Sequence, residues 1–238
     1  MSKRQEIRRR RQQERTRNRI LVIVLVAAGA LLIAFAFIRP LVLKTQATPV
    51  PVVSTTPKAI YMQADGVHLG DPNAPVKIDV YEDFRCSACL NYSTNYEPMI
   101  IQNYVNTGKV YYTYHSFIVI DGYDNSGASY QAANAALCAA EQDNFWDYHD
   151  ILFANQITEE AAYFTDERLV AMAQNLNLDM TAFNKCFRAE RYAPDIQNDI
   201  SQAQSLNLTH TPSILVDGTP IDSFGQLTTA IDTALAGK

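Results

Sequence analysis

Along the chain the hydrophobic pattern changes character several times. From Ile20 to Ile38 run nineteen residues without a charge. As a helix this run is about 28 Å long, which matches the hydrocarbon core of a bilayer and predicts a single transmembrane helix over 20–38. Further on, Val76-Lys77-Ile78-Asp79-Val80-Tyr81 alternates apolar and polar and predicts a half-buried strand. A helix follows to about Asn106, then a second strand over Val110–Ile120. Some ninety residues of helical pattern come next, from the Ala-rich stretch Ser129–Glu141 to Asp195–Leu206. Ser213-Ile214-Leu215-Val216 returns to β, Asp217-Gly218 is a two-residue hairpin signal, and Phe224–Leu235 closes as a helix. The order β, α, β, helical block, β-hairpin, α predicts an α/β layer fold with a helical subdomain inserted over about 122–206. No internal repeat is present.

Charge divides the chain in the same places. Residues 1–19 carry nine Lys or Arg against Glu6 and Glu14, a local charge of +7. By the positive-inside rule this basic tail stays cytoplasmic, and the chain beyond the apolar run lies outside. An uncleaved anchor is expected rather than a cleaved signal: the core exceeds the usual 7–15 residues, and Ala34-Phe35-Ala36 sits inside it. Residues 39–66 are Pro-rich, without periodicity, and read as an extracytoplasmic linker. The folded domain is expected over 67–238. From Pro40 onward the charge is −13, which argues against nucleic-acid binding by the folded part.

The cysteines supply the chemistry. Cys86-Ser87-Ala88-Cys89 stands where the first strand ends and a helix begins. A thiol at a helix N-terminus faces free N–H groups and the positive end of the helix dipole, which favour a thiolate. Cys89, one turn on, can resolve a mixed disulfide formed at Cys86. A zinc site would need four ligands, and Cys138, Cys186 and the four histidines are scattered. Covalent haem attachment would need His at position 90, which is Leu. No metal and no organic cofactor is expected. Cys138 and Cys186 lie in apolar helical surroundings, either as inert thiols or, in an oxidising compartment, as a structural disulfide. Thr211-Pro212 precedes the late strand, and ordinary X-Pro frequencies favour a trans bond there.

Gly70-Asp71-Pro72-Asn73-Ala74-Pro75-Val76, then Tyr81-Glu82-Asp83-Phe84-Arg85-Cys86-Ser87-Ala88-Cys89, resemble the DsbA-like thiol–disulfide oxidoreductases of the thioredoxin superfamily, in their membrane-anchored bacterial, BdbD-like branch. Phe145-Trp146-Asp147-Tyr148-His149-Asp150 and Thr209-His210-Thr211-Pro212-Ser213 carry the same resemblance onward. It covers the chain from about Gly70. It implies a thioredoxin-like fold with a helical insertion, a cis bond before Pro212, and a substrate-backbone rest at Thr211 and Pro212. It also implies that some relatives carry a second bridge such as Cys138–Cys186. Two departures matter. Ser87-Ala88 stands where many relatives have Pro-His, so the imidazole that helps hold the thiolate is missing. The acid that the family places six residues before the nucleophile falls on Val80, leaving Glu82 or Asp79 as candidate proton relays for Cys89.

The resulting expectation is a membrane-anchored, single-pass extracytoplasmic enzyme that introduces disulfides into cysteine-containing exported proteins. By family analogy a DsbB-like or VKOR-like membrane partner recycles it. The alternatives are a reductase or isomerase of the same fold, or a tethered chaperone or copper-binding module without turnover.

Overall fold

The computed structural model describes residues 20, 21, 23–29, 52–55, 61–156 and 164–238. It divides into two units, Met1–Val50 and Pro51–Lys238. In the first, the described residues between 20 and 29 are helical. Among the described residues no helix is long and apolar enough to cross a membrane. The basic tail 1–19, the rest of the 20–38 run, and the linker residues 39–51 and 56–60 lie outside them.

The second unit is built on a six-stranded sheet in the order β1-β2-β4-β3-β5-β6. The strands are β1 (Ala64–Asp65), β2 (His68–Leu69), β3 (Val76–Glu82), β4 (Val110–Ser116), β5 (Ser213–Val216) and β6 (Thr219–Pro220). At the centre, β3 runs parallel to β4, from Val76 opposite Val110 to Glu82 opposite Ser116, and antiparallel to β5, with Tyr81 opposite Ser213. Strand alternation fixes the two faces. Val76, Ile78, Val80, Val110, Tyr112, Tyr114, Ile214 and Val216 point into the main core, whereas Tyr81 and Leu215 join a smaller cluster with Phe117, Ala203 and Leu208.

Around the sheet lie α1 (Ser87–Asn95), α2 (Glu97–Ile100), a π-helical turn (Ile101–Val105), α3 (Asp121–Asp124), α4 (Ala128–Ala140), α5 (Phe145–Ala154), α6 (Asp166–Asn175), α7 (Met180–Arg188), α8 (Ala193–Ser205) and α9 (Leu227–Ala236). The block α3–α8 is inserted between β4 and β5. Asp217 and Gly218, both at positive φ, close the β5–β6 hairpin. Gly70, at φ +91°, has no alternative: a Cβ there would lie 2.7 Å from the Val110 carbonyl oxygen.

Three boundaries differ from the sequence reading. The helix expected to run to Asn106 breaks after Asn95, because Pro98 has no N–H to donate back along the helix. The second strand stops at Ser116 rather than Ile120, because the N–H groups of Val119 and Ile120 donate to the Asp83 carboxylate at 2.9 and 2.8 Å instead of to a neighbouring strand. The sheet begins at Ala64, inside the stretch read as linker. Tyr61 packs on Trp146 and donates to Asp150 at 2.7 Å, and Val53 exchanges two 2.7 Å bonds with the Asn155 side chain. Two-residue strands and single anchoring side chains leave no periodicity to read.

Candidate active site

The site forms where β3 gives way to α1. Asp83 shapes the turn: its main-chain carbonyl accepts from Cys86 N at 2.9 Å, and its carboxylate accepts from Arg85 N as well as from Val119 and Ile120. Burial pushes the Asp83 carboxyl up, and these backbone N–H groups pull against it. Arg85, beside Cys86, reaches across to Asp121 at 3.0 Å and Asp124 at 2.5 Å on α3. Chain entry into α1 is thus clamped from both sides.

Cys86 is the N-cap of α1, in extended conformation, and is half-buried. Its Sγ donates to the Thr211 carbonyl oxygen at 3.3 Å. The Cys86 thiol is held at about 6 against an ordinary 9.0. A hydrogen bond from Cys89 is the largest cause; burial opposes it, and Thr211 and the backbone N–H groups of Cys89 and Ala88 add to it. The helix start and the second thiol therefore supply what an imidazole between the cysteines would have supplied. Cys89 is the opposite case. It is fully buried, and burial first, then its bond to Cys86 and the charge of Glu82, push its thiol well up. One strand-to-helix junction thus holds a thiol that ionises readily beside a thiol kept protonated. Iodoacetamide modification of the reduced protein is expected to follow a single titration with midpoint near pH 6, all label on Cys86, which peptide mass mapping checks.

The two candidate relay acids part company. Glu82 shares the core face with Val80 and is buried. Its Oε2 lies 3.4 Å from His149 Nε2, and Oε1 has no hydrogen-bond partner. Burial raises its carboxyl, with His149 countering. Asp79 faces the other side of the sheet, 2.9 Å from His115 Nε2, and His115 also meets Asp199 on α8 at 3.3 Å. The structure does not bring Asp79 to Cys89, since odd and even positions of β3 point to opposite faces. Glu82, Glu97 and His149 have donor atoms within 4.8 Å of one another, the one set among the described residues close enough to hold a metal ion.

Thr211 and Pro212 stand next to the cysteines. Their peptide bond is cis, against the trans expected from X-Pro frequencies and as the family resemblance implied. Beside them opens a cavity of about 280 Å³ whose walls include Ala88, Thr211, Pro212, Ile214, Ile221 and Phe224. From the helical block, Gln156 donates to the carbonyls of Phe84 and Cys86 at 2.7 and 3.1 Å. Cys138 on α4 and Cys186 on α7 are joined in a disulfide with Cα atoms 5.8 Å apart. Sequence reasoning passed over Asp83, Gln156, Glu97 and His149. Only His149 carried a local signal, a lone imidazole between Trp146 and Ile151 on the apolar face of a helix.

The family model described as thioredoxin matches residues 63–233. Among relatives, the probable disulfide bond formation protein D of Bacillus anthracis is 29% identical over 170 residues, 70% of this chain and 77% of that protein. Among solved structures, oxidised BdbD from Bacillus subtilis is similar with a TM-score of 0.66 at 23% identity, covering 79% of this chain and all of that one. DsbA from Chlamydia trachomatis follows at 0.62 and 23%, covering 80% and 98%. With the cysteine pair at the strand-to-helix junction, the cis bond before Pro212 and the helical insertion in their expected order, this chain belongs to the thioredoxin family, as a DsbA-like thiol–disulfide oxidoreductase.

Proposed function

We propose that the protein is a disulfide donor anchored by its N-terminal run in the cell membrane, its basic tail cytoplasmic and its catalytic unit outside, acting on cysteines of exported proteins. Cys86 is the exchanging thiol, Cys89 the resolving thiol, and Thr211 with Pro212 the rest for the substrate backbone. The observation that carries the reading is the asymmetry of the pair: a half-buried thiol held at about 6 next to a buried thiol pushed well up. Stabilising the Cys86 thiolate favours the dithiol form, and a favoured dithiol makes the disulfide the better oxidant. The charge-free run 20–38 behind nine basic residues supports the anchor and its orientation. The name of the Bacillus anthracis relative, a probable disulfide bond formation protein, supports the donor direction. A DsbB-like or VKOR-like membrane protein would return the pair to the disulfide.

The test is equilibration of the full chain in glutathione buffers, with alkylation and mass counting of Cys86 and Cys89, alongside oxidation of a reduced, unfolded substrate protein. A potential near about −120 mV together with substrate oxidation is the expected result. A value near about −270 mV would make the protein a reductant. Tight one-to-one copper binding without turnover would make it a carrier.

A further inference from the structure

Three clamps hold the turn that carries the chain into α1, and one of them grips the backbone of Cys86 itself. Asp83 and Arg85 are met by the segment that follows β4, through Val119, Ile120, Asp121 and Asp124. Gln156 arrives from just past the end of α5, 70 residues beyond Cys86. Its Nε2 donates to the Phe84 carbonyl at 2.7 Å and to the Cys86 carbonyl at 3.1 Å. A carboxamide nitrogen carries two N–H groups, so one side chain bridges the carbonyls on either side of Arg85. Turned over, the amide would set its oxygen against two carbonyl oxygens, which fixes its orientation. Phe84 is buried, so its carbonyl must find a donor inside the protein. The Cys86 carbonyl already accepts from Leu90 N at 3.1 Å, and Gln156 adds a second donor to it.

Gln156 is held firmly from behind. Its own N–H donates to the Phe153 carbonyl at 3.1 Å. Asn155 before it is the buried C-cap of α5, and its side chain exchanges two bonds with Val53 and donates to the Ile151 carbonyl at 2.8 Å. The far end of the Gln156 amide gains nothing: Oε1 is buried and has no hydrogen bond among the described residues. A buried polar atom left unbonded costs stability, and an apolar side chain of the same length would avoid that cost. Local packing therefore does not account for an amide at this position, whereas the two carbonyls do.

We propose that Gln156 is a positioning residue for thiol–disulfide exchange: by bridging the Phe84 and Cys86 carbonyls it fixes the direction in which the Cys86 sulfur leaves the turn. The proposal rests on the redox reading above and deepens it, because it gives the helical insertion a part in the exchange. In the donor direction an incoming substrate thiolate bonds to Cys86 Sγ. The Cys86–Cys89 bond breaks, and Cys89 keeps its electron pair and takes up a proton. A second substrate thiolate then attacks the first substrate sulfur, and Cys86 leaves with the electron pair as a thiolate. The substrate has lost two electrons, and the cysteine pair has gained them. This second step depends on how well the departing thiolate is held, and the N–H groups of Ala88 and Cys89 hold it only when Sγ is aimed at them. A turn whose two carbonyls are released aims it less well.

The test compares Gln156→Met, which keeps the length of the side chain and removes both donors, with the native full chain. Three quantities are read: the pH midpoint of Cys86 alkylation, the equilibrium of the Cys86–Cys89 pair with glutathione, and the urea unfolding midpoint. The alkylation midpoint is expected to rise by about half to one unit. The glutathione equilibrium is expected to shift about three- to tenfold toward the protein disulfide, the same change read as a ratio. A purely structural role would lower the urea midpoint and leave the other two quantities as they are in the native chain. The proposal is overturned if either the alkylation midpoint or the glutathione equilibrium stays in place or moves the other way. Should Gln156→Met not fold, hydrogen exchange of the Gln156 side-chain amide in the reduced native protein decides. Two protected protons support the bridge, and fewer than two overturn it. Failure of the redox reading looks different, since Cys86 and Cys89 would then form no disulfide in the native protein at any glutathione ratio.

Discussion

Cys86→Ser is expected to abolish oxidation of a reduced substrate protein, and Cys89→Ser to accumulate the chain as a mixed disulfide through Cys86. The two outcomes follow from the unequal positions of the two sulfurs. Only the half-buried Cys86, at the start of α1 and 3.3 Å from the Thr211 carbonyl, can be reached by another chain's sulfur. A serine hydroxyl there cannot enter a disulfide, so no residual route remains. Cys89 is fully buried, so its loss leaves the first exchange possible and removes the second. The same variant carries a further consequence. The hydrogen bond from Cys89 is the largest influence lowering the Cys86 thiol, so in Cys89→Ser the alkylation midpoint is expected to depend on whether the serine hydroxyl takes over as donor, whereas in Cys89→Ala it is expected to move up from about 6 toward 9.0. Non-reducing electrophoresis with mass analysis of trapped species checks the first pair of outcomes. Full activity in Cys86→Ser would remove the exchange scheme altogether.

Much of this site could be read from the chain because it depends on junctions. The alternation through Val76–Tyr81 locates β3, and a cysteine pair just past its end must enter the following helix near its free N–H groups. The hairpin at Asp217-Gly218 was equally legible, because both residues take positive φ. The features concealed in the sequence depend on side chains meeting across distant elements. Glu82 and Asp79 look equivalent as acids near a cysteine pair. Their separation by three positions on one strand puts them on opposite faces, one against His149 and the other against His115. Gln156 reaches the Cys86 carbonyl over 70 residues of chain, and Asp83 gathers N–H groups from the far end of β4. No local spacing encodes either contact. The helical run to Asn106 shows the reverse case: Pro98 was visible, and its missing donor was enough to end α1 early.

Removing the Cys138–Cys186 bridge, as the double alanine variant, is expected to destabilise the protein by about 2–4 kcal/mol. The bridge spans 48 residues and ties α4 to α7, so it shortens the loop available to most of the inserted block. For a loop of that length the chain-entropy relation gives about 4 kcal/mol, and residual structure in the reduced unfolded chain places the measured value at or below it. Both cysteines are buried, at 1% and 0% exposure, so they are closed to exchange with Cys86 or with an external thiol while the block is folded. Graded reduction is therefore expected to open the Cys86–Cys89 pair first and the structural bridge only on unfolding. Urea denaturation, with the slope fitted separately for each protein, measures the stability change. A loss below about 0.5 kcal/mol would mean that α4 and α7 are held by packing alone, through contacts such as Asn134 Nδ2 donating to the Phe187 carbonyl at 3.0 Å. Because Gln156 holds the carbonyls of Phe84 and Cys86 from this same block, a loosened block is also expected to slow closure of the Cys86–Cys89 disulfide at low denaturant.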